Sequence, residues 1–544
     1  MSEALTPRAA DVAPPATAGE FFSRKATGLV RVGTPWRVLI LNFANIGLVY
    51  IMFTYWAQPA VFPQSNLLAA IALAAVFNAV FCLALAIFTS SFPRSGGEYV
   101  YVSRSLHPAI GFAVSFAAAL SQSFWVGVGG YWISTLVLAP VTSTFGTTTG
   151  SETLVEWGAR FGTATSGFVF GTAFVLVAML INLGGLRRYF RFQAINFPIG
   201  VVTFLVLLAV YLFASPGDFR SGLNEYAGGA GGSATAYEDI RAAAAEGGMP
   251  TGWTLTGMLG IFGIIWLVGI ASTYIAGEVR SPRRTQVIGS VGGSLVYSGA
   301  VFLLALLMFK AVGGDFNRAA AWVSYNSEDY YEIIPSDPTF VTWVAVLVDS
   351  WPVLLLVGLG LVIWSYFWIP SAMIIATRAL FAWSFDRLVP AKLSEVNPRT
   401  NSPVWAVLSV AIVGELFLIA YWQGWFDFLA PFLAYTIVFL TVSVSAVVAA
   451  YRPSTRAFIA QAGWDKRIAG IPLLALCGVV GIVYWSLALW FALTQDMLFL
   501  NTTKQIVLTA LQFAIPLAIF AGITLWRRSQ GVNLSLAYKE LPPE

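Results

Sequence analysis

The stretch SSFPRSGGEYVYVSRSLHPAIGF, residues 90–112, separates two long apolar runs. It contains two arginines, a glutamate, a Gly-Gly pair and the only histidine of the chain. Each flanking run exceeds the roughly 20 residues that cross a hydrocarbon core about 30 Å thick. The stretch is therefore predicted to connect two membrane-spanning helices. Gly96-Gly97 permits a tight turn. We expect Arg94 and Arg104 to face anionic lipid, and His107 to cap the next helix or face lipid rather than bind a metal.

The composition of the whole chain supports a membrane protein. Of its 544 residues, 58% are hydrophobic and 10% are charged, whereas a soluble domain needs about 25% charged residues. The expected partners are therefore the lipid bilayer and a small-molecule substrate, with no nucleic acid. Cys82 and Cys477 both lie in apolar runs, so they predict neither a disulfide framework nor a metal site.

Apolar runs bounded by charged residues, Pro or Gly predict an all-α polytopic protein with 12 transmembrane helices. The third and eighth runs are longer than a bilayer requires, and tilt or an extension into water would absorb the excess. The predicted spans are residues 37–61, 67–91, 107–140, 167–186, 193–214, 254–277, 286–312, 341–381, 403–422, 427–450, 470–494 and 503–526.

The distribution of basic residues predicts the orientation. If both termini are cytoplasmic, 24 of the 30 Lys and Arg residues fall in cytoplasmic segments, as the positive-inside rule requires. We therefore expect a multi-pass protein of the cell membrane. The acidic segments 215–253 and 313–340 would lie outside. The Gly- and Ala-rich part of the first, residues 227–248, predicts a mobile surface segment with a short helix at Thr235–Glu246.

Three phrases in the predicted cytoplasmic connections resemble one transporter family. PRSGGEYVYVSRSLHPAIGF follows the second span, GEVRSPRR (Gly277–Arg284) follows the sixth, and TRALFAWSFDRLVPAKLSEVNPRTNSPVWA (Thr377–Ala406) follows the eighth. They are similar, in order and in position, to motifs of the amino acid–polyamine–organocation superfamily of permeases. The resemblance covers about residues 30–450.

The resemblance implies the five-plus-five inverted-repeat fold of the leucine-transporter type. The chain would then divide into a cytosolic tail (1–35), a ten-helix core (36–450), two additional helices (451–527) and a second cytosolic tail (528–544). The two repeats would be residues 36–214 and 254–450. Substrate would bind at the midplane between broken first and sixth helices, and each of these two predicted spans has a glycine near its middle, Gly47 and Gly269.

The chain departs from the family pattern at several candidate positions. Only Gly47 remains of the usual Gly-x-Gly, with Leu48 next to it, and the sixth span reads Gly269-Ile270-Ala271 without the usual acidic residue. The position of a coupling lysine in the fifth span holds Gly200. No cofactor is expected. The sequence leaves open whether a proton or Na⁺ is the coupling ion. Ser371 is a candidate ion ligand.

Glu415 is the one carboxylate that the sequence places deep in a span, where charges are costly. A structural hydrogen bond or a subunit contact explains it better than ion coupling, because the ninth span of this fold packs outside the core. Asn45 would either cap an exposed helix end or touch substrate. The candidate substrate-binding residues are Asn45, Gly47, Leu48, Ser123, Trp125, Trp266, Gly269, Ala271 and Tyr366, with Trp368 a further candidate beside Tyr366.

These features favour a secondary transporter of an amino acid or a related small amine. Tryptophan faces attract ammonium groups, and a neutral substrate with an apolar portion fits the candidate residues best. No nucleotide-binding motif and no catalytic constellation is present, so neither direct ATP-driven transport nor an enzyme is expected. The alternative is a sensor or a non-transporting subunit that kept the fold. The sequence leaves the oligomeric state open.

Overall fold

The computed structural model describes residues 28–47, 55, 59–348, 350–425, 430–494, 500–531, 534 and 538. Nearly all of these residues lie in helices or short connections. The helices are α1 Pro35–Ile46, α2 Leu67–Ser91, α3 Glu98–Ser105, α4 Pro108–Thr149, α5 Glu152–Phe161, α6 Ala164–Leu183, α7 Gly185–Phe213, α8 Pro216–Gly229, α9 Ala236–Glu246, α10 Leu255–Ile264, α11 Ala271–Tyr274, α12 Pro282–Val312, α13 Gly314–Asn326, α14 Tyr330–Ile333, α15 Phe340–Leu347, α16 Trp351–Phe385, α17 Val404–Trp422, α18 Ala430–Tyr451, α19 Pro453–Gln461, α20 Leu473–Thr494 and α21 Thr503–Ser529.

Ten of these helices are long and apolar enough to cross a membrane. They are α2, α4, α6, α7, α12, α16, α17, α18, α20 and α21, and their apolar outer faces leave many leucines and valines exposed. The sixth predicted span does not form such a helix, and much of the first lies outside the described residues. The protein is therefore a polytopic helical membrane protein.

The sixth predicted span consists of two short helices, α10 and α11, separated by the non-helical residues 265–270. The first predicted span begins as α1 and leaves the helix at Gly47, which has φ 83° and ψ 144°. Residues 48–54 and 56–58 lie outside the described residues, so Leu48 does too. The sixth segment is thus interrupted where the sequence predicted, and α1 ends at the predicted Gly47.

The eighth and fifth runs differ from their predicted bounds for identifiable reasons. The long eighth run divides at 348–350 into α15 and the membrane helix α16, so a separate helix, rather than tilt alone, takes up its excess length. The fifth predicted span forms α7, which begins at Gly185, where φ is 73°. Because α7 begins before residue 193, it includes the three arginines that the prediction left in a loop.

The segment 227–248, predicted to be a mobile surface segment, is largely helical and has buried side chains. Helices α8 and α9 pack against α15 and α13, and the apolar side chains that face inward are buried. Tyr237 stacks on Phe316 with 4.6 Å between ring centroids, and Phe219 contacts Trp343 edge to face. The predicted short helix at Thr235–Glu246 is confirmed as α9. Its alanines contribute a packed face rather than flexibility.

Helix α4 is the central element of the bundle and packs against α6, α16, α17, α18 and α21. Small residues allow these close approaches, as in other membrane bundles. A Cβ atom at Gly127 would lie within 2.7 Å of backbone atoms of Gly414 in α17. A two-stranded hairpin, β1 (Arg467–Ile468) and β2 (Ile471–Pro472), precedes α20.

The segment before α1 is tied to the segment after α11. Gly33 and Val279 form a parallel β-bridge, the amides of Val32 and Gly33 both donate to the Glu278 carbonyl, and Arg280 donates back to Gly33. These backbone bonds hold the start of the first predicted span next to the end of the sixth. The two interrupted segments therefore lie side by side.

A candidate substrate cavity at the interrupted helices

Two asparagines of α1 satisfy backbone amides that the interruption of the sixth segment leaves free. Asn45 Oδ1 accepts from the Ile270 amide at 3.0 Å, and Asn42 Oδ1 accepts from the Ser272 amide at 2.9 Å. Asn42 Nδ2 also donates to Ser272 Oγ at 2.8 Å. Amides at the start of a helix need such acceptors. The capping role expected of Asn45 is present, and Asn42, fully buried, performs a second one.

The glycines of the two interruptions have different surroundings. A Cβ atom at Gly269 would lie 2.3 Å from the Asn42 carbonyl oxygen, so this glycine lets α1 approach the unwound backbone. A Cβ atom at Gly47 would lie 3.1 Å from the Trp368 ring, and the Tyr297 hydroxyl donates to the Gly47 carbonyl at 2.9 Å. Gly47 faces a cavity, whereas Gly269 is part of a helix contact.

A cavity of about 130 Å³ lies where these two interruptions meet. It is bordered by residues of α1, α4, the unwound segment 265–270, α16 and α18. Half of its described lining residues are aromatic, and none of them is charged. The lining residues are Asn45, Ile46, Gly47, Gln122, Trp125, Trp132, Trp266, Val268, Ile270, Trp368, Pro431, Phe432, Tyr435 and Phe439.

Aromatic rings form a continuous wall around the cavity. The Trp125 ring packs edge to face against Trp132 at 5.1 Å, Trp368 at 5.7 Å and Phe432 at 5.9 Å between centroids. Phe432 in turn lies 4.6 Å from Trp266. Offset and edge-to-face contacts of this kind hold aromatic rings in place. Rings fixed in this way present their π faces in defined directions.

A few polar groups are spaced along this wall. Gln122 Nε2 donates to the Tyr435 hydroxyl at 2.6 Å, which links α4 to α18. The Trp266 indole donates to the Gly263 carbonyl at 2.9 Å. The Trp368 indole nitrogen is buried and makes no hydrogen bond within the described structure. That N–H is a donor available to a bound oxygen atom.

Four of the predicted substrate-binding residues line the cavity: Asn45, Gly47, Trp125 and Trp266. Trp368, the further candidate named with Tyr366, lines the cavity as well. Tyr366 itself lies away from the lining, where its hydroxyl donates to the Phe174 carbonyl at 3.1 Å.

Three other predicted residues are buried beside the cavity rather than in its lining. Ser123 donates to the Ala119 carbonyl of its own helix at 2.9 Å. Ala271 begins α11 and is fully buried, and Gly269 contacts α1. The position of Ser123 follows from the geometry of α4, because neighbours in sequence on a helix point about 100° apart. Gln122, not Ser123, therefore faces the cavity.

The two candidates for ion coupling both form local hydrogen bonds. Ser371 Oγ donates to the Trp368 carbonyl at 2.6 Å, a bond within its own helix, and receives a long contact of 3.5 Å from Asn45 Nδ2. Glu415 accepts from the Thr172 hydroxyl at 2.6 Å, which joins α17 to α6. This hydrogen bond agrees with the prediction that Glu415 has a structural role.

The α18 residues Phe432, Tyr435 and Phe439 were missed by the sequence analysis. Their spacing of three and four residues places them on one face of the helix, which was a detectable signal. In an apolar helix, however, the same spacing is typical of ordinary packing. Gln122 and Trp132 were missed as well, although Gln122 is a polar residue in the middle of an apolar helix.

Charged residues of the three phrases that resemble family motifs, in residues 90–112, 277–284 and 377–406, meet in one buried layer. This layer lies on the α3 side of the cavity. Arg94 forms an ion pair with Asp386 at 3.0 Å, and the Tyr99 hydroxyl donates to the same carboxylate at 2.9 Å. Arg378 forms a bidentate pair with Glu278. The expectation that Arg94 and Arg104 face lipid is therefore wrong. Both are buried, because Arg94 has a carboxylate partner and Arg104 donates to the Val100 carbonyl.

His107 caps α4, which is one of the two roles predicted for it. Its Nδ1 accepts from the Ala109 amide at 3.2 Å. Proline at the following position starts the helix, because its missing N–H needs no partner there. No group of three or more His, Cys, Asp or Glu side chains that could hold a metal occurs among the described residues.

The interrupted sixth segment and the cavity beside it belong to a polytopic helical membrane protein. The profile of the amino acid permease family matches residues 34–515. The chain belongs to this family. It is also similar to a putative polyamine transporter of Candida albicans, with 27% identity over 184 residues. That match covers 32% of this chain and 30% of the relative, so the chain spans about a third of that protein's length.

Proposed function

We propose that this chain is a secondary active transporter that carries an amino acid or a related small amine across the cell membrane by alternating access. The position of the cavity, between the end of α1 and the interruption at 265–270, carries the proposal. In the five-plus-five inverted-repeat fold, substrate binds between broken first and sixth helices near the midplane. The proposal includes twelve spans and two cytoplasmic termini, with residues 36–450 as the transport core.

The chemistry of the lining favours one class of substrate. Tryptophan faces attract an ammonium group, an attraction worth about 0.5–2 kcal/mol, and the remaining apolar surface accepts a hydrocarbon group. A second cationic group would lose its hydration in the described lining without finding a carboxylate, which is costly. We therefore propose a neutral amino acid with an apolar side chain, or a monoamine, rather than a dication.

Each group of the lining has a proposed role. Trp125 and Trp266 provide π faces for the ammonium group. The free Trp368 indole N–H, with the Gln122 amide, would bind a substrate oxygen and so replace the backbone of the absent Gly-x-Gly. Asn45 maintains the interruption by capping Ile270. Ser123, Gly269, Ala271 and Tyr366 are assigned to packing around the site, and Leu48 stays a candidate ligand.

A binding and uptake experiment tests this proposal. Purified full-length protein is heated with L-leucine, phenylethylamine or putrescine, and labelled L-leucine and phenylethylamine are then offered to proteoliposomes. We expect stabilisation by L-leucine or phenylethylamine, little stabilisation by putrescine, and uptake of the stabilising probe. Binding without uptake would instead indicate the sensor or non-transporting subunit. Stabilisation by putrescine alone would contradict the proposed substrate class.

A further inference from the structure

Glu98 is a buried carboxyl group close to the cavity that the proposed function does not use. It begins α3 directly after Gly96-Gly97. The Gly96 amide donates to the Tyr274 carbonyl of α11 at 3.1 Å. A Cβ atom at Gly97, whose φ is 60°, would lie 2.8 Å from the Tyr274 ring. The two glycines therefore hold Glu98 against the helix that follows the interruption.

Among the described residues, no cation lies beside Glu98 to balance a negative charge. The residue is 4% exposed, and its Oε1 atom makes no hydrogen bond. None of the ion pairs in the described part of the chain includes it. The arginines of the motif layer, Arg94 and Arg378, pair with Asp386 and Glu278 instead. Glu98 therefore differs from the other two carboxylates of this layer.

The groups that face Glu98 are neutral near pH 7. Tyr101 faces it from α3, Tyr274 from α11 and Tyr435 from α18. From α4 comes Ser115, whose hydroxyl accepts from the Trp383 indole of α16 at 3.2 Å. Tyrosine ordinarily ionises near pH 10, so Glu98 is the one group of this described set that can exchange a proton near neutral pH.

The Glu98 carboxyl group also lies next to the candidate substrate cavity. It lines a small void of about 10 Å³ together with Tyr101, Thr273 and residues of α2 and α18. Ile270, Tyr435 and Phe439 line both this void and the cavity. A void of this size is close to the space that one water molecule needs. One layer of side chains therefore separates the carboxyl group from the proposed substrate.

Burial raises the pKa of Glu98 from its ordinary value of 4.5 to about 7, and the Tyr274 and Ser115 hydroxyls oppose that rise. In the arrangement described here, the carboxyl group is thus poised between its neutral and charged forms. A buried charge without a partner is costly. Proton loss therefore favours any arrangement in which water reaches Glu98 or α11 moves away from α3.

We propose that Glu98 is the residue that binds and releases the proton coupled to substrate transport. A proton from the aqueous phase forms an O–H bond with one carboxylate oxygen, and the same bond breaks when the opposite side opens. No other reactant is needed. The coupling arises because the closed and open arrangements bind this proton with different affinity. This inference rests on the proposed function and names its driving ion.

The test compares the full-length wild type with Glu98→Gln, Glu98→Asp and Glu415→Gln in proteoliposomes. Glu415→Gln is the matched control, because it removes a membrane carboxylate that Thr172 already binds. Labelled L-leucine, or phenylethylamine if only that probe is taken up, is offered with and without an inside-alkaline gradient of about one pH unit. A one-unit gradient coupled to one proton supports about tenfold accumulation.

We expect the wild type, Glu98→Asp and Glu415→Gln to accumulate the probe when the gradient is imposed. Glu98→Gln should exchange internal for external probe at a rate within about threefold of the wild type, because an amide mimics the protonated acid, yet show no response to the gradient. Gradient-driven accumulation by Glu98→Gln would overturn the proposal, as would wild-type uptake that ignores the gradient. Loss of equilibrium probe binding in folded Glu98→Gln would make Glu98 a substrate ligand and overturn it too.

A failure of the proposed function would give a different result. In that case no probe is taken up by the wild type under any gradient, and proton binding is followed directly. The carboxyl stretching band of the wild type minus that of Glu98→Gln, recorded by infrared spectroscopy across about pH 5 to 9, should titrate near neutrality. A band that stays fully ionised across this range would overturn the assignment of Glu98 as a proton-binding residue.

Discussion

Glu278 and Arg378 form a buried bidentate ion pair, with Nε to Oε1 at 2.8 Å and Nη2 to Oε2 at 3.1 Å. Their side chains are 1% and 3% exposed. Glu278 belongs to the second motif and Arg378 to the third, which also supplies Asp386 to Arg94 of the first motif. The charged residues of the three motifs are therefore partners of one another. They join the end of the interrupted sixth segment to α16 and to the start of α3.

We predict that Arg378→Met destabilises the protein by about 3–5 kcal/mol, because it leaves the Glu278 carboxylate buried without a partner. The double variant Glu278→Gln with Arg378→Met should recover part of this loss, because the unpaired charge is removed. Thermal unfolding in detergent measures both effects.

The exposed pair Arg220–Glu238 is the control for this prediction, with side chains 60% and 41% exposed. Arg220→Met should cost no more than about 1 kcal/mol, because water screens an exposed pair. Equal losses for Arg220→Met and Arg378→Met would show that the buried pair has no special contribution.

We predict that Trp125→Leu weakens phenylethylamine binding about 2- to 30-fold, the range that corresponds to a cation–π attraction of about 0.5–2 kcal/mol. Trp125→Phe should lose less, because an aromatic face remains. Trp157→Leu is the control, because Trp157 lies in α5 and outside the cavity lining. Titration calorimetry on detergent-solubilised protein gives the affinities. Unchanged affinity in Trp125→Leu would place the ammonium group elsewhere.

We predict that Glu98 makes stability fall as pH rises from about 4.5 to about 7. Because the folded state holds the proton more tightly than the unfolded chain, its contribution is fully present below the unfolded pKa and is lost as pH rises through the folded one. The expected change is on the order of 3 kcal/mol. Glu98→Gln should lack this component. The difference in unfolding temperature between the two proteins at pH 5 and at pH 8 measures it, and an identical difference at both would contradict the prediction.

The sequence predicted well those features that depend on local pattern. Ten apolar helices, the interruption of the sixth predicted span and the end of α1 at Gly47 all follow from hydropathy and glycine placement. Asn45 and Trp266 were chosen because they lie near those interruptions, and Trp125 because it lies midway along the third predicted span. All three line the cavity.

Features that depend on distant residues were not predictable in this way. Arg94 reads as a surface residue until Asp386, 292 positions away, is known to face it. Glu98 lies in a connection rich in charged and polar residues, which is typical of an exposed segment. The sequence therefore did not predict that α11 and α18 bury it. Tyr435 lines the cavity because α18 packs against α4, a contact that no periodicity reveals. The correction at Arg94 concerns its partner rather than the position of a helix.

We predict that the termini and the basic loops lie on one side of the membrane. Arg399→Cys and Glu246→Cys occupy exposed positions in a basic and an acidic connection, and the native Cys82 and Cys477 are buried. In intact cells, a membrane-impermeant maleimide should label Glu246→Cys and should label Arg399→Cys only after permeabilisation. The reverse pattern would invert the proposed orientation.

The last prediction separates the two glycines of the interrupted segments. Gly269→Ala should prevent accumulation of a monodisperse protein, because its Cβ would lie 2.3 Å from a backbone oxygen of α1, a distance at which one backbone must move. Gly47→Ala should fold, since its nearest neighbour is the Trp368 ring at 3.1 Å, but with strain of about 1–3 kcal/mol from its positive φ.

Gly47→Ala should also weaken binding of the L-leucine or phenylethylamine probe, because the added methyl group pushes Trp368 towards the cavity. Gly299→Ala is the control, because a Cβ atom there would meet no atom within 4 Å apart from its own local backbone, and alanine favours a helix by about 1 kcal/mol. Size-exclusion profiles and probe-induced thermal shifts distinguish the three variants. Normal folding of Gly269→Ala together with normal binding by Gly47→Ala would contradict the prediction. It would show that the site does not depend on the close contact between α1 and the unwound segment.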